Sequence, residues 1–303
     1  MTDRALPAVA LAAVPGRRRR TLDLAREIER RGFAGIYCAS FGDAMGLCEA
    51  LAFATERIPF GTSIANLHTR HVSDYAQTAS LIHELSGGRF HFGVGVSHGS
   101  MNRRLGIQTG RPLDDARRFA DGYRKARAGE LPPLVLAALR PKMVALAGEV
   151  ADGVVFANAA RSALPALLRA LPDERRTDPE FFIGNMIPTC ISEDRAAAAA
   201  VNRRTFGMYL TLPNYRHAWR DAGYAEEIAA IEQAIESGVP SEGLPERMGD
   251  RWLSDVSLFG SVREVRDGVE AWRAAGVRTP ILVPSSAAGN QLVAFEELFA
   301  AFA

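Results

Sequence analysis

The chain has 303 residues and a formal net charge of +1, with 36 lysines and arginines against 35 acidic residues. Such a length fits a single large α/β domain, because (β/α)₈ barrels of roughly 250 residues fold as one domain. The balanced charge excludes the bulk basic field that marks nucleic-acid binding. We therefore expect one domain over residues 1–303 and no nucleic-acid partner.

Apolar periodicities along the chain predict strands that alternate with helices. The predicted strands are 5–14, Phe33–Ala39, Ile58–Ala65, Phe90–Val96, Leu134–Leu139, Gly153–Ala157, Phe181–Ile191 and Thr279–Pro284. The predicted helices are Leu22–Arg31, Gly46–Thr55, Ser73–Leu85, Leu113–Arg127, Pro141 to about Val150, Ala163–Leu171, Asp194–Leu210 and Val262–Ala275. This alternation implies parallel βαβ units. Eight strands fit a (β/α)₈ TIM barrel, and an open doubly wound sheet is the alternative.

The N-terminal region and the cysteines bear on the compartment. The run Arg17–Arg20 follows an apolar segment instead of preceding it, which is the wrong order for a signal peptide. We interpret the run as the solvated start of a helix, with a phosphate or polyglutamate contact as the alternative. The three cysteines are isolated and form no CxxC pair, which is typical of reduced thiols. No apolar run reaches about 18 residues, so we expect a cytoplasmic protein that does not contact the membrane.

The stretch from Arg57 to Gly106 is the most informative part of the chain. Two short apolar runs, Ile58–Ala65 and Arg89–Val96, flank a segment with apolar residues at three- and four-residue steps. Ser86-Gly87-Gly88 then ends that helix with residue types that commonly end helices. The stretch therefore predicts a βαβ unit with two parallel strands.

Several motifs of this stretch resemble the bacterial luciferase-like monooxygenase superfamily, and above all its coenzyme F-420-dependent branch. The motifs are Thr69-Arg70-His71, Leu85-Ser86-Gly87-Gly88-Arg89-Phe90 and Gly93-Val94-Gly95-Val96-Ser97-His98. The resemblance continues over Leu136–Val155 and Phe259–Val283. It implies a luciferase-like (β/α)₈ barrel, and a homodimer. Residues 212–256 break the alternation of strand and helix, and they correspond to a helical insertion before the last strand.

The resemblance also implies a cofactor and a reaction. The cofactor is the deazaflavin coenzyme F-420, and the reaction is hydride transfer between its C5 and a small organic substrate. The first alternative is an FMN-dependent reductase or monooxygenase on the same barrel. The second is a barrel that binds flavin or another ligand without catalysis. It gains weight because Ser40 and Phe41 stand where many relatives carry an acidic residue and a histidine.

Active sites of this fold lie at the carboxyl ends of the strands, so we examined the residues that follow each strand. Ser40 is a candidate hydrogen-bond partner of the ring, or a plain loop serine. By resemblance, Thr62-Ser63-Ile64 forms a bulge with a cis peptide bond between Ser63 and Ile64 that backs the ring; the alternative is an ordinary strand. Asn66 lies at the mouth of the barrel and is a candidate contact for ring or substrate.

The next strand ends provide the remaining candidates. Within the resemblance, Gly95, Val96, Ser97 and His98 bind the cofactor, and His98 is the best candidate for a polar catalytic group. Another segment joins a strand end to a helix start, where backbone N–H groups favour an anion. The candidates in this segment are Ala137, Ala138, Leu139 and Arg140, and the alternative is a simple junction between strand and helix. Asn158 follows the sixth strand at the same rim.

Two further observations limit the chemistry. His68 and His71 flank Arg70, and we interpret Arg70 and His71 as structural hydrogen-bonding residues, with proton transfer as the alternative. The sequence contains no HExxH, CxxC, GxSxG or GxxxxGK[ST] motif, so nothing in it requires a metal or a serine nucleophile.

Overall fold

A computed structural model of the chain describes residues 5–40 and 42–303. Phe41, at the place of the histidine of many relatives, lies outside the described residues. The strands are β1 (Ala8–Leu11), β2 (Ile36–Ala39), β3 (Phe60–Ser63), β4 (Ala65–Asn66), β5 (Phe90–Gly95), β6 (Leu134–Ala137), β7 (Gly153–Ala157), β8 (Phe182–Ile191), β9 (Leu258–Gly260) and β10 (Thr279–Ser285). All eight predicted strands are present, and the third is divided into β3 and β4.

Helices follow most strands. They are α1 (Arg18–Arg30), α2 (Ala44–Ala54), α3 (Val72–Leu85), α4 (Gly99–Arg104), α5 (Pro112–Lys125), α6 (Pro141–Val150), α7 (Leu164–Leu168), α8 (Asp173–Thr177), α9 (Arg195–Leu210), α10 (Pro213–Asp221), α11 (Ala225–Glu236), α12 (Asp250–Val256), α13 (Val262–Ala274) and α14 (Gln291–Ala301). Helices α4, α8 and α14 and strand β9 are additions to the predicted elements. Among the described residues, no helix combines the length and apolarity needed to cross a bilayer.

The chain divides into two compact units. The first unit runs to Val155 and includes Arg169–Gly184. Its strands are parallel and pair in the order β1, β2, β3, β5, β6, β7, and β4 also pairs with β5. Their carboxyl ends therefore lie along one edge of the sheet, which we call the upper edge.

Arg89 holds together the opposite edge of this unit. Its guanidinium group donates to the carbonyl oxygens of Ala52, Thr55, Ile58 and Ser86 and to the Thr55 hydroxyl, at 2.7–3.2 Å. It also lies 5.1 Å from the centre of the Phe60 ring. These contacts join the ends of α2 and α3 to the start of β3. The Leu85–Phe90 motif, on which the resemblance partly rests, thus includes a structural arginine.

The second unit comprises Phe156–Leu168 and Asn185–Ala303. Strand β8 pairs with β9 and β10. The segment predicted as a helical insertion contains α10, α11, a 3₁₀ helix at Ser241–Arg247 and α12. The Trp252 ring of α12 contacts the rings of Trp219 and Tyr224, each at 5.3 Å between centres. The buried Asp255 accepts hydrogen bonds from the Tyr224 hydroxyl at 2.7 Å and the Ser162 N–H at 2.9 Å.

Candidate functional site

A bulge interrupts the pairing of β3 and β4 with β5. Gly61 pairs with His91 and Ala65 pairs with Val94, so four steps along one strand match three along the other. The extra residue is Ile64, as expected where one residue is inserted into a ladder. The Thr62 hydroxyl donates to the Gly93 carbonyl oxygen at 2.6 Å and fastens the two strands beside it. The Ser63–Ile64 peptide bond is cis, as predicted.

The two faces of the first unit's sheet have different neighbours. The Phe92 ring lies 5.4 Å from the rings of Tyr75 on α3 and Tyr123 on α5. Successive side chains of a strand point to opposite faces. His91, Gly93 and Gly95 therefore lie on the face turned away from these helices, which we call the inner face.

Aromatic side chains fill the lower level of the inner face. The Phe182 ring lies 5.3 Å from the Tyr37 ring and 5.7 Å from the His91 ring. The Tyr37 hydroxyl is 3.4 Å from His91 Nδ1. Burial lowers the pKa of His91, and the neighbouring His83 lowers it further.

Small residues line the upper level of the same face. Ala39 is aligned with Ser63, and Gly95 follows His91 by four residues on the same side of β5. A Cβ atom on Gly95 would lie 2.9 Å from the Ala137 Cβ and 3.1 Å from the Ile64 Cδ1. Ile64 and Ala137 are half-buried. The upper level is therefore a shallow apolar cradle at the carboxyl ends of β3, β5 and β6.

Ser97 and His98 follow β5 at the upper edge. Ser97 has a φ of 58°, a left-handed conformation that non-glycine residues rarely adopt and that often occurs at functional sites. Val96, Ser97 and His98 are half-buried. Burial lowers the pKa of His98, so its imidazole is neutral at pH 7. A neutral imidazole can accept a proton at one nitrogen and donate from the other.

Asn66 is held by the protein itself. Its Nδ2 donates to Asn102 Oδ1 at 2.8 Å, and its Oδ1 accepts from the His68 N–H at 3.1 Å. Asn102, which is buried, donates in turn to the Val96 carbonyl oxygen at 3.0 Å. Asn66 therefore positions the turn after β5, and one Nδ2 hydrogen remains for a ligand. The sequence did not point to Asn102, because α4 is too short to show a periodicity.

The segment after β6 forms the start of α6. The Ala138 N–H donates to the Val155 carbonyl oxygen at 3.0 Å, so it is engaged in the sheet. Leu139 is half-buried, and the exposed Arg140 caps α6 through its backbone. The Arg140 carbonyl oxygen accepts from the Met143 N–H at 3.0 Å. An anion contact at this helix start stays a prediction.

Ser40 lies at the upper edge after β2 and is exposed. Asp43 follows it and caps α2 by accepting a hydrogen bond from the Gly46 N–H at 2.9 Å. Ser40 therefore has access to a ligand, and its role stays a prediction.

His68, Arg70 and His71 all have contacts within the protein. His71 caps α3, because its Nδ1 accepts from the Ser73 N–H at 3.3 Å. Arg70 lies 3.8 Å from the Asp74 carboxylate. His68 Nε2 lies 3.7 Å from the buried Asp115 carboxylate. Burial lowers the pKa of His68, whereas the negative charge of Asp115 acts in the opposite direction. The described residues contain no group of three or more His, Cys, Asp and Glu side chains arranged for a metal ion.

In the second unit, Asn158 follows β7 and also adopts a left-handed conformation, with a φ of 56°. Its N–H donates to the Met186 carbonyl oxygen at 3.1 Å, and its carbonyl oxygen accepts from Trp219 Nε1 at 2.9 Å. Its buried side-chain amide interacts with the Tyr209 hydroxyl, and this interaction opposes the larger effect of burial, which raises the pKa of Tyr209.

Comparison with known proteins identifies the family. The profile of the luciferase-like monooxygenases matches residues 5–279, most of the chain. The chain belongs to this family. As a luciferase-like protein it is an oxidoreductase, and the resemblance inferred from its motifs is confirmed.

Curated relatives are distant in sequence. A protein of Mycobacterium tuberculosis, provisionally named as a coenzyme F-420-dependent oxidoreductase, is 25% identical over 88% of this chain and 90% of its own length. A 5,10-methylenetetrahydromethanopterin reductase of Methanolobus tindarius is 26% identical over 58% of this chain and 62% of its own length.

Solved structures of luciferase-like proteins share the fold. The F-420-dependent tetrahydromethanopterin reductase of Methanopyrus kandleri superposes with a TM-score of 0.77 at 18% identity, covering 97% of this chain and 98% of that one. A type II Baeyer–Villiger monooxygenase of Pseudomonas putida, solved with FMN, has a TM-score of 0.65 at 16% identity, covering 98% and 96%. The predicted (β/α)₈ barrel is confirmed as the fold class.

Proposed function

We propose that this luciferase-like protein transfers a hydride between coenzyme F-420 and a small organic substrate. The observation that carries the proposal is that the two levels of the inner face differ in side-chain size. Aromatic rings fill the lower level, and Gly95, Ala137 and Ile64 form a shallow apolar cradle above them. A planar ring needs such a surface of small side chains, because backbone can then approach it closely. Support for the deazaflavin comes from the relatives and structures whose names state F-420.

The described residues fit such a cofactor. Ile64 and Gly95 would support its ring, and Ser97 would contribute a hydroxyl at the end of β5. When bound, the deazaflavin supplies hydride chemistry at C5 and does not readily activate oxygen. The protein supplies orientation and electrostatics, as in other cofactor enzymes.

His98 is the residue that we assign to proton transfer. It is half-buried beside the left-handed Ser97, and burial lowers its pKa, so that it is neutral and ready to accept a proton at pH 7. Ser40 is exposed at the same edge and is the second hydroxyl available to a substrate. The imidazole would hold or release the proton that accompanies reduction or oxidation of the substrate.

The test is equilibrium binding of the purified protein to F-420 and to FMN, followed by fluorescence. The proposal predicts micromolar or tighter binding of F-420 and no measurable binding of FMN. Preferential binding of FMN would contradict it and favour the flavin-dependent alternative. The monooxygenase solved with FMN has the same fold. Binding of neither would favour a barrel without this catalysis.

We also propose that the protein is a homodimer. Phe53 on α2 is 74% exposed, and Leu81 and Leu85 on α3 are 51% and 43% exposed. Large exposed apolar side chains on neighbouring helices are common at protein interfaces. Sedimentation of the wild type should show a dimer, and Phe53→Glu should shift it toward a monomer. A monomeric wild type would contradict the proposal.

A further inference from the structure

Four consecutive arginines stand at the start of α1. Arg17 is the N-cap residue of the helix, and Arg18, Arg19 and Arg20 form its first turn. All four are exposed, and the first turn contains no acidic residue. Within residues 5–40 and 42–303, none of the four guanidinium groups has a hydrogen bond or an ion pair. The described residues thus leave four neighbouring positive charges without a partner at the start of α1.

The same helix shows that the lack of partners is local. Arg26 pairs with Asp23 at 2.9 Å, and Arg30 and Arg31 both pair with Glu27 at 2.6 Å. Asp23 and Glu27 therefore pair with arginines of the second half, and Glu29 accepts hydrogen bonds from the N–H groups of Glu56, Arg57 and Ile58 at 2.7–3.1 Å. The first-turn arginines repel one another and oppose the helix dipole, which favours negative charge at this end. They weaken the isolated helix, and a bound anion would remove that effect.

The arginines lie at the upper edge of the first unit. Helix α1 follows the carboxyl end of β1, and β1 is parallel to β2, whose own carboxyl end leads to Ser40. The two loops are neighbours, because a Cβ atom on Gly42 would lie 3.5 Å from the Ala13 carbonyl oxygen. The arginines are therefore on the same edge as the cradle and as His98.

We propose that Arg17–Arg20 bind the oligoglutamate tail of coenzyme F-420. This inference rests on the proposed function, which brings a cofactor with several carboxylates to this edge. Arginine pairs with carboxylates through two parallel hydrogen bonds, so consecutive guanidinium groups suit a chain of carboxylates. Each exposed pair contributes little, and the sum of several pairs decides the affinity. The contacts are sensitive to salt, because the charges are exposed.

The experiment compares two ligands and two variants. The ligands are F-420 with five or more glutamates and the same deazaflavin phosphate without glutamates, titrated by fluorescence at low and high salt. The test variant is Arg17→Gln/Arg18→Gln/Arg19→Gln/Arg20→Gln. The control is Arg26→Gln/Arg30→Gln, which removes exposed but paired arginines of the same helix.

The wild type and the control should bind the tailed ligand about tenfold more tightly than the tail-less one, since each exposed pair contributes up to about fivefold. The test variant should bind the two ligands equally, with the affinity that the wild type has for the tail-less ligand. High salt should remove the difference in the wild type. The melting temperature of the test variant should be equal or higher, because the repulsion at the helix start is gone.

Four outcomes overturn the inference, and they separate it from the proposed function. Equal wild-type affinity for the two ligands, or an equal loss in the control variant, refutes the tail contact while leaving F-420 as the cofactor. If the test variant still binds the tailed ligand more tightly than the tail-less one, the tail contact is also refuted and F-420 remains the cofactor. Failure of the wild type to bind either ligand refutes both the cofactor and the tail contact.

Discussion

The inner face of the first unit differs sharply between its two levels. At the lower level, Tyr37, His91 and Phe182 are in ring contact. Two to four residues later on the same strands, Ala39 and Gly95 present almost no side chain. Both levels belong to one sheet and one set of strands. The difference shows that aromatic rings fill the lower level, whereas small side chains leave the upper level open.

Removing a ring from the lower level should have the largest effect. Tyr37→Ala should lower the free energy of unfolding by about 3–5 kcal/mol, because it removes a buried ring and leaves a cavity. Tyr37→Phe is the control, since it keeps the ring and removes only the contact with His91 Nδ1. Urea unfolding measures both. Equal stability of Tyr37→Ala and Tyr37→Phe would show that the ring layer is not a core.

His98→Gln tests the chemistry assigned to the upper edge. Turnover with F-420 should fall about 100-fold, the lower end of the range for general acid–base groups. The free energy of unfolding should change by less than about 0.5 kcal/mol, as for most substitutions outside the core. Steady-state kinetics and urea unfolding provide the two readouts. An unchanged turnover number would remove His98 from the mechanism.

Filling the upper level should impair binding more than folding. Ala137→Leu should weaken F-420 binding by about 5- to 150-fold, because extra bulk in a fitted site costs about 1–3 kcal/mol. Ala54→Leu, on the half-buried end of α2, makes the same change away from the inner face. Fluorescence titration compares them. If the two variants bind equally well, the cradle does not hold the ring.

The pH dependence of stability should be the smallest effect. Burial lowers the folded-state pKa values of His91 and His98 below the ordinary value of about 6.5. The unfolded chain therefore binds more protons below that pH, and the free energy of unfolding should fall as pH drops from 6.5 toward the folded pKa values. Urea unfolding between pH 8 and about 5 measures this. His91→Phe should flatten the slope, and an unchanged slope would exclude His91 as its source.

Local patterns in the sequence predicted most of the fold. Alternating apolar runs defined the eight strands, and the resemblance placed the cis bond between Ser63 and Ile64. The ring layer was not predictable in this way, because Tyr37, His91 and Phe182 are far apart in the chain. The Asn66–Asn102 pair was missed because its residues are also far apart in the chain and because α4 is too short to show a periodicity. Contacts between distant segments depend on register, which no local pattern reveals.

The boundaries of elements were also less certain than their existence. The first helix starts at Arg18 and not at Leu22, because its first turn is made of arginines with no apolar face. The third strand ends early, because the inserted Ile64 interrupts the ladder. In both places the pattern was broken at a position to which we assign a ligand contact. Such breaks are expected at functional sites.

The most direct test of the account is a crystal structure of the protein with F-420 bound. The account predicts the deazaflavin ring on the upper level, in van der Waals contact with Ile64 and Gly95, and with His98 within hydrogen-bond distance of the ring or the substrate. A ring bound elsewhere on the chain, with the upper level unchanged, would contradict the central claim.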